Sequence, residues 1–276
     1  MKTRSPAVAG RFYPDSPSEI TSLLDQVVSK EHKTINRSLA VKYILGGVVP
    51  HAGYMFSAYQ AMHFFEILKE SGRKPQTFII INPNHTGYGK EISLDDHDAW
   101  ETPYGNVNID LDFCRETGFE WSADAHKFEH SGEVLVPMLQ YTFDHPFKIV
   151  PITLSVQNQA NARLIANTLF SVSERLQRDI CLLASSDFSH YVNPETGKKL
   201  DDFVLNEILQ VNPEGVYEQV KAKNISVCGF GPIMSLMYYA LKISDKPGVQ
   251  ILRRGNSGDI IPSDEVVDYV SILFYH

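Results

Sequence analysis

The chain has 276 residues, 43% of them hydrophobic, and a formal net charge of −8 with no Lys/Arg cluster longer than a pair. That is enough apolar content for one substantial core over residues 1–276, and too little clustered positive charge for nucleic acid or an anionic membrane to be the main partner. Cys114, Cys181 and Cys228 are an odd, widely spaced set with no zinc-ribbon or redox pairing, so the expectation is free thiols in a reducing compartment, the cytoplasm.

The opening Met1-Lys2-Thr3-Arg4-Ser5-Pro6 lacks the apolar centre of a secretory signal. Turn formers dominate residues 5–16, and Phe12 and Tyr13 suit a packed N-terminal arm (residues 1–16). Ile20, Leu23, Leu24, Val27 and Val28 recur at helical spacing. After a polar linker, the apolar run from Tyr43 to Val49 ends at Pro50-His51-Ala52-Gly53-Tyr54. Ala58, Met62, Phe65 and Leu68 then mark a helix to about Glu70. A second apolar run, Thr77 to Ile81, leads into Asn82-Pro83-Asn84-His85. Both runs are continuous rather than alternating, which predicts parallel strands covered on both faces.

Residues 86–110 hold Gly87, Gly89, Pro103 and Gly105 between β-like pieces at Glu91 to Leu94 and Asn106 to Ile109, and the pattern predicts a hairpin insert followed by a short helix near Asp110. Glu129-His130-Ser131-Gly132-Glu133 precedes an apolar helix beginning near Val134, with Ser131 as its expected cap and Pro137 awkward inside it. Phe147 to Thr153 predicts a strand, Ala160 to Leu176 a helix, and Asp179 to Ala184 a strand leading to Ser185-Ser186-Asp187-Phe188-Ser189-His190. Two helices follow, Lys199 to Val211 and Pro213 to Ala222, and then Val227-Cys228-Gly229-Phe230-Gly231-Pro232 turns into a helix over Ile233 to Leu241 with Pro232 expected in its first position. The nearly uncharged stretch Ile225 to Leu241 is short of the roughly 20 apolar residues that a membrane span needs. Val249 to Arg253 and Val266 to Phe274 close the chain as a β pair.

Three apolar strands therefore each deliver a histidine just past their last residue: His51, His85 and His190. In an open α/β sheet such positions converge on one crevice, where these folds bind ligands. Cys228 reads either as a small buried hydrophobe or as a thiolate favoured by the helix that follows it. Glu129, His130 and Glu133 read either as a charged helix start or as ligands, orienting carboxylates and a base. Asp187 is either an orienting carboxylate or a turn residue. The other histidines, His63 and His126 among them, lack this context and read as structural. Ser185-Ser186-Asp187 with His190 lacks the Gly-x-Ser-x-Gly elbow of serine hydrolases. Arg253 to Asp259 lacks the spacing of a phosphate loop.

Taken together, Pro50-His51-Ala52-Gly53-Tyr54, Asn82-Pro83-Asn84-His85, Glu129-His130-Ser131 with Glu133 and Pro137, Ser185 to His190, Cys228-Gly229 and the Ala-Gly-Arg-Phe-Tyr-Pro arm resemble the Memo family over nearly the whole chain. That family is similar in fold to the LigB-type class III extradiol dioxygenases. The resemblance implies an α/β fold with a mixed, mostly parallel central sheet and helices on both faces. It implies one metal on His51, His85 and Cys228, with iron as Fe(II) the first choice and copper or zinc as alternatives. His190 would move a proton, Asp187, Glu129 and Glu133 would orient ligands, and His130 would line the pocket. A cysteine in place of the dioxygenases' carboxylate is softer and itself oxidisable, so ring cleavage does not follow from the fold. Thr86 departs from relatives that carry a second histidine there. Metal-dependent oxidation of a small molecule is the leading expectation. The alternatives are a non-catalytic crevice for a peptide or small ligand, a metal-sequestering protein, or zinc-assisted hydrolysis. Microbial relatives also imply association with a radical-SAM protein.

Overall fold

The computed structural model describes residues 2–276. Along the chain the strands are β1 (Thr3–Arg4), β2 (Ile44–Val49), β3 (Thr77–Pro83), β4 (Ile92–Leu94), β5 (Ala99–Trp100), β6 (Val107–Asn108), β7 (Glu120–Trp121), β8 (Lys148–Leu154), β9 (Ile180–Ser185), β10 (His190–Val192), β11 (Gly248–Asn256) and β12 (Val266–Tyr275). The α-helices are α1 (Pro17–Glu31), α2 (Tyr54–Glu70), α3 (Leu111–Thr117), α4 (Ala123–Lys127), α5 (Leu135–Thr142), α6 (Gln159–Leu176), α7 (Pro194–Leu209), α8 (Pro213–Lys223) and α9 (Phe230–Ile243). Among the described residues no helix is long and apolar enough to cross a membrane.

The frame is a nine-stranded sheet in the order β10-β12-β2-β9-β3-β8-β4-β7, with β11 on β12. Its centre, β2-β9-β3-β8, is parallel, as the continuous apolar runs require. Antiparallel pairs flank it, β12 on β2 and β4 on β8, so the sheet is mixed with a parallel core rather than parallel through most of its width. Every residue of β2, β3 and β9 is buried. Helix α2 packs on β2, β11 and β12, backed by α1 and α5, while α9 packs on β9, β2 and β3, backed by α6 and α8. Gly47 makes the first contact possible: a Cβ there would meet the Phe64 ring of α2 at 2.4 Å.

Four local expectations are corrected. The pieces at 91–94 and 106–109 do not form one hairpin, because β4 joins the main sheet while β6 pairs with β5 in a small sheet that also recruits β1. The polar linker contains a 3-10 turn, Arg37–Val41. Ser131 does not cap α5, whose N-cap is Val134, and Pro137 lies in the first turn, where an absent N–H leaves no bond unmade. Pro232 is the third residue of α9, not the first, and is tolerated for the same reason. Over its described residues, 2–16, the expected arm is packed, with Tyr13 buried and β1 extending the anchoring to Arg4, while Met1 lies outside the described residues.

Candidate metal centre

Because β2, β9 and β3 are parallel neighbours, the loops after them open at one end of the sheet. That end collects His51, His85, His130, Asp187, Glu129 and Cys228. One ring nitrogen of His51, one of His85 and Cys228 Sγ lie within 4.8 Å of one another. Cys228 reaches the site from the other direction, on the loop just before α9. Gly229 permits this, since a Cβ there would stand 2.2 Å from the Ser185 carbonyl oxygen. Gln157 braces the same turn by donating to the Cys228 carbonyl and accepting from Gly231 N, both at 2.7 Å.

The hydrogen bonds around each imidazole assign its tautomer. Ser185 Oγ donates its proton to the Ser131 carbonyl at 2.6 Å, so towards His51 Nδ1, 2.8 Å away, it can only accept. His51 therefore carries its proton on Nδ1 and leaves Nε2 bare, 3.3 Å from Cys228 Sγ. At His85, Nδ1 faces Glu129 Oε1 at 2.9 Å, and the backbone N donates to Glu129 Oε2 at 2.6 Å. Burial opposes the charge on Glu129, but the hydrogen bonds and charge of His85, with Ser131 and His130, outweigh it and hold the carboxyl at about 2. An ionised Glu129 only accepts, so His85 also presents Nε2. His190 Nδ1 lies 2.8 Å from the Ser226 carbonyl, which fixes the same tautomer.

The charges around this cluster follow from desolvation. Burial pushes His51 well below the usual imidazole range, helped by His130, His85 and His190. His130 is lowered to about 4 by burial against the pull of Glu129. Its ring lies between Phe12 and His85, 4.7 Å from each centroid. Burial and the nearby Asp187 charge raise the Cys228 thiol well above its ordinary value. Burial pushes Asp187 up to about 6 against the hydrogen bond from His51 N, which meets its Oδ1 at 2.8 Å. The donor set fits a metal: two imidazoles whose Nδ1 atoms are already engaged and one thiol, which a bound cation would deprotonate. A second trio, His85, Glu129 and His130, is as compact. It fits less well, because the Glu129 carboxylate already accepts from His85 N, His85 Nδ1, Ser131 N and Ser131 Oγ.

Glu133 is placed elsewhere. Its carboxylate accepts from Arg4 (2.7 Å), Ala7 N (2.8 Å), Val8 N (3.0 Å) and Tyr13 OH (2.7 Å), so it anchors the N-terminal arm and does not touch the histidines. His190 is half-buried on the first residue of β10. Ser226 and Gln157 escape sequence reading, and Ser185, named there only within the Ser185 to His190 motif, has no role toward His51 in it: only tertiary contact gives these side chains one. Another compact group, Asp95, Asp96 and His97, is committed to its own loop, with Asp95 accepting from His97 Nδ1 and Trp100 Nε1 at 2.6 Å each.

Comparison with known proteins gives one consistent answer. A family model described as Memo-like protein matches residues 4–273. A MEMO1 family protein of Methanosarcina mazei is 37% identical over 281 residues, covering 99% of each chain. One from Methanopyrus kandleri is 36% identical over 280 residues, covering 98% of each chain. A third, from Saccharolobus solfataricus, is 36% identical over 285 residues, covering 98% of this chain and 99% of its own.

Proposed function

The chain belongs to the Memo family, and from that membership and the geometry of its crevice we propose that it holds one redox metal, iron first, on His51, His85 and Cys228, and oxidises a small molecule there. The observation that carries the reading is the hydrogen-bond pattern: Ser185 and Glu129 occupy Nδ1 of the two histidines and leave Nε2 of each unprotonated, that of His51 within hydrogen-bond reach of Cys228 Sγ. Such outer partners orient metal-binding imidazoles and raise their basicity. When bound, the metal supplies one-electron chemistry and open positions, and the thiolate draws the preference from iron towards copper or zinc.

The protein's own groups divide the remaining work. His51 is held neutral by its burial, so it would need to lose no proton to bind. Cys228 would bind as the thiolate, its proton passing to solvent, and the backbone N–H of Asp187, which donates to Sγ at 3.1 Å, would steady that charge. His190, half-buried with Nδ1 held by the Ser226 carbonyl, would take a proton from an incoming hydroxyl or thiol on Nε2 and return it. Burial of His51, Asp187 and Glu129 keeps bulk water from the inner part of the site.

A second reading has its own support. An apolar cavity of about 420 Å³, lined by Leu23, Phe12, Tyr54, Met55 and Phe56 with Arg11 at its side, adjoins the site through the Phe12–His130 contact. In this reading the crevice recognises a ligand without converting it. Oxygen uptake by metal-loaded protein over a broad panel of reductants separates the two. The oxidative reading expects uptake that falls at least about tenfold in His190→Ala while metal content is kept. Absence of uptake across the panel with tight metal binding would replace it with the recognition role.

A further inference from the structure

Ser189, the residue before His190, is held from two sides. Asp201 Oδ1, on α7, accepts from Ser189 N at 3.1 Å and from Ser189 Oγ at 2.6 Å. The backbone of Asp268, on β12, brackets the same turn: its N donates to Ser189 O and its carbonyl accepts from Phe188 N, both at 2.8 Å. The two carboxyl groups lie close enough to act on one another directly. Asp201 is 0% and Asp268 is 6% exposed, and Oδ2 of each is sealed from solvent and meets no other donor among the described residues. The α7 backbone closes over them so tightly that a Cβ at Gly197 would stand 2.2 Å from Asp268 Oδ2.

Two buried carboxylates in contact cannot both hold a full charge without something positive between them. With both oxygens closed to solvent, a proton is the smallest group that meets the need. Asp201 Oδ1 already accepts two hydrogen bonds, so the charge belongs on Asp201 and the proton on Asp268. We propose that Asp201 and Asp268 share one proton, donated from Asp268 Oδ2 to Asp201 Oδ2, and that this pair is a positioning device for the Phe188–His190 segment and hence for the His190 imidazole. The effect on turnover rests on the proton-carrying role given to His190 above; the shared proton itself does not.

The surroundings set the response to pH. Arg254 on β11 draws both carboxyls down, while Asp259 pushes Asp268 up. Glu195 and Lys198 of α7 and Tyr269 of β12 line the adjoining cavity of about 400 Å³. Burial, then the charge of Asp201, leaves Asp268 at about 8. Below that pH the clamp is closed. Above it the proton leaves, the two charges repel, and the Asp201 hold on Ser189 slackens.

The test is amide hydrogen exchange of the full chain over the segment containing Phe188 to His190, corrected for intrinsic rates, near pH 6.5 and near pH 9, in wild type, Asp268→Asn and Asp201→Asn. Wild type is expected to lose about tenfold in protection across that range, one pH unit past the titration. D268N, whose amide donates at every pH, is expected to keep its protection, and D201N, whose amide donates to an ionised Asp268, is expected to lose the pH response. Equal protection of wild type at both pH values, or the same loss in D268N, would overturn the proposal. So would a melting temperature raised by Mg²⁺ or Ca²⁺ in wild type and not in D268N, which would put a cation between the carboxyls. Metal content, measured in parallel, reports on the proposed function and leaves the exchange result standing.

Discussion

His51 Nδ1 lies 2.8 Å from Ser185 Oγ, and because Ser185 spends its own proton on the Ser131 carbonyl, this contact decides which nitrogen of His51 faces the crevice. A hydroxyl on the last residue of β9 thus selects the tautomer of a histidine just past the end of β2. The strands are adjacent and parallel, so the pairing is built into the sheet register, where Val49 lies beside Ser185.

Ser185→Ala removes that selection without disturbing a strand. Metal affinity is expected to fall about 10–100-fold, as for other outer-sphere partners of ligating histidines, with a stability loss of about 1–3 kcal/mol because the buried Ser131 carbonyl and His51 Nδ1 lose their partner. A metal titration of the apo-protein measures it, and unchanged affinity would remove Ser185 from the site.

Glu129 gives a pH signature. Its carboxyl is held at about 2, below its ordinary 4.5. The stability it contributes is present above the unfolded value and is lost as pH falls towards 2. In metal-free protein Glu129→Gln should flatten the acid limb of the stability curve by on the order of 1–3 kcal/mol. Denaturant titrations between about pH 6 and about pH 3 read the difference, and parallel curves for the two proteins would contradict the assignment.

Glu133 is expected to act on the fold rather than on chemistry. Glu133→Ala leaves the buried Arg4 without its partner, which costs about 3–5 kcal/mol and frees the N-terminal arm. Trypsin should then cut at the exposed Arg11 faster than in wild type, while the metal stoichiometry of the surviving fold is kept. Metal loss with an intact arm would return Glu133 to the site.

Gly229→Ala tests the close approach of the Cys228 loop to β9. A Cβ would clash with the Ser185 carbonyl, so the loop has to move and carry the thiol away from His51. A stability loss of about 1–3 kcal/mol together with loss of metal is expected. Melting temperature and metal content are the readouts, and retention of both would show that the loop has slack.

The parts of the fold that could be read from the sequence are those where one short segment carries its own pattern. The unbroken apolar runs of β2, β3 and β9 announce strands covered on both faces, and a polar loop after each places His51, His85 and the approach to His190. Cys228 and Glu129 come from the family motifs. What could not be read depends on partners distant in sequence. β1 and β10 are 2 and 3 residues long and exist only through pairing with β5 and β12. Ser131 looks like a helix cap, yet its hydroxyl goes to Glu129 and its carbonyl to Ser185. Glu133 stands four residues after Glu129, but the chain turns between them, and one carboxylate faces His85 while the other faces the arm. Asp201 and Asp268 lie on a helix and a distant strand with no motif to join them.

The central claim is a metal held by His51, His85 and Cys228. Elemental analysis after anaerobic purification, comparing wild type with Cys228→Ser and with the His51→Ala, His85→Ala double variant, tests it most directly. About one iron or copper per wild-type chain, lost in both variants while the fold is kept, is the expected result. No bound metal in wild type even after reconstitution, or equal metal in all three proteins, would contradict it.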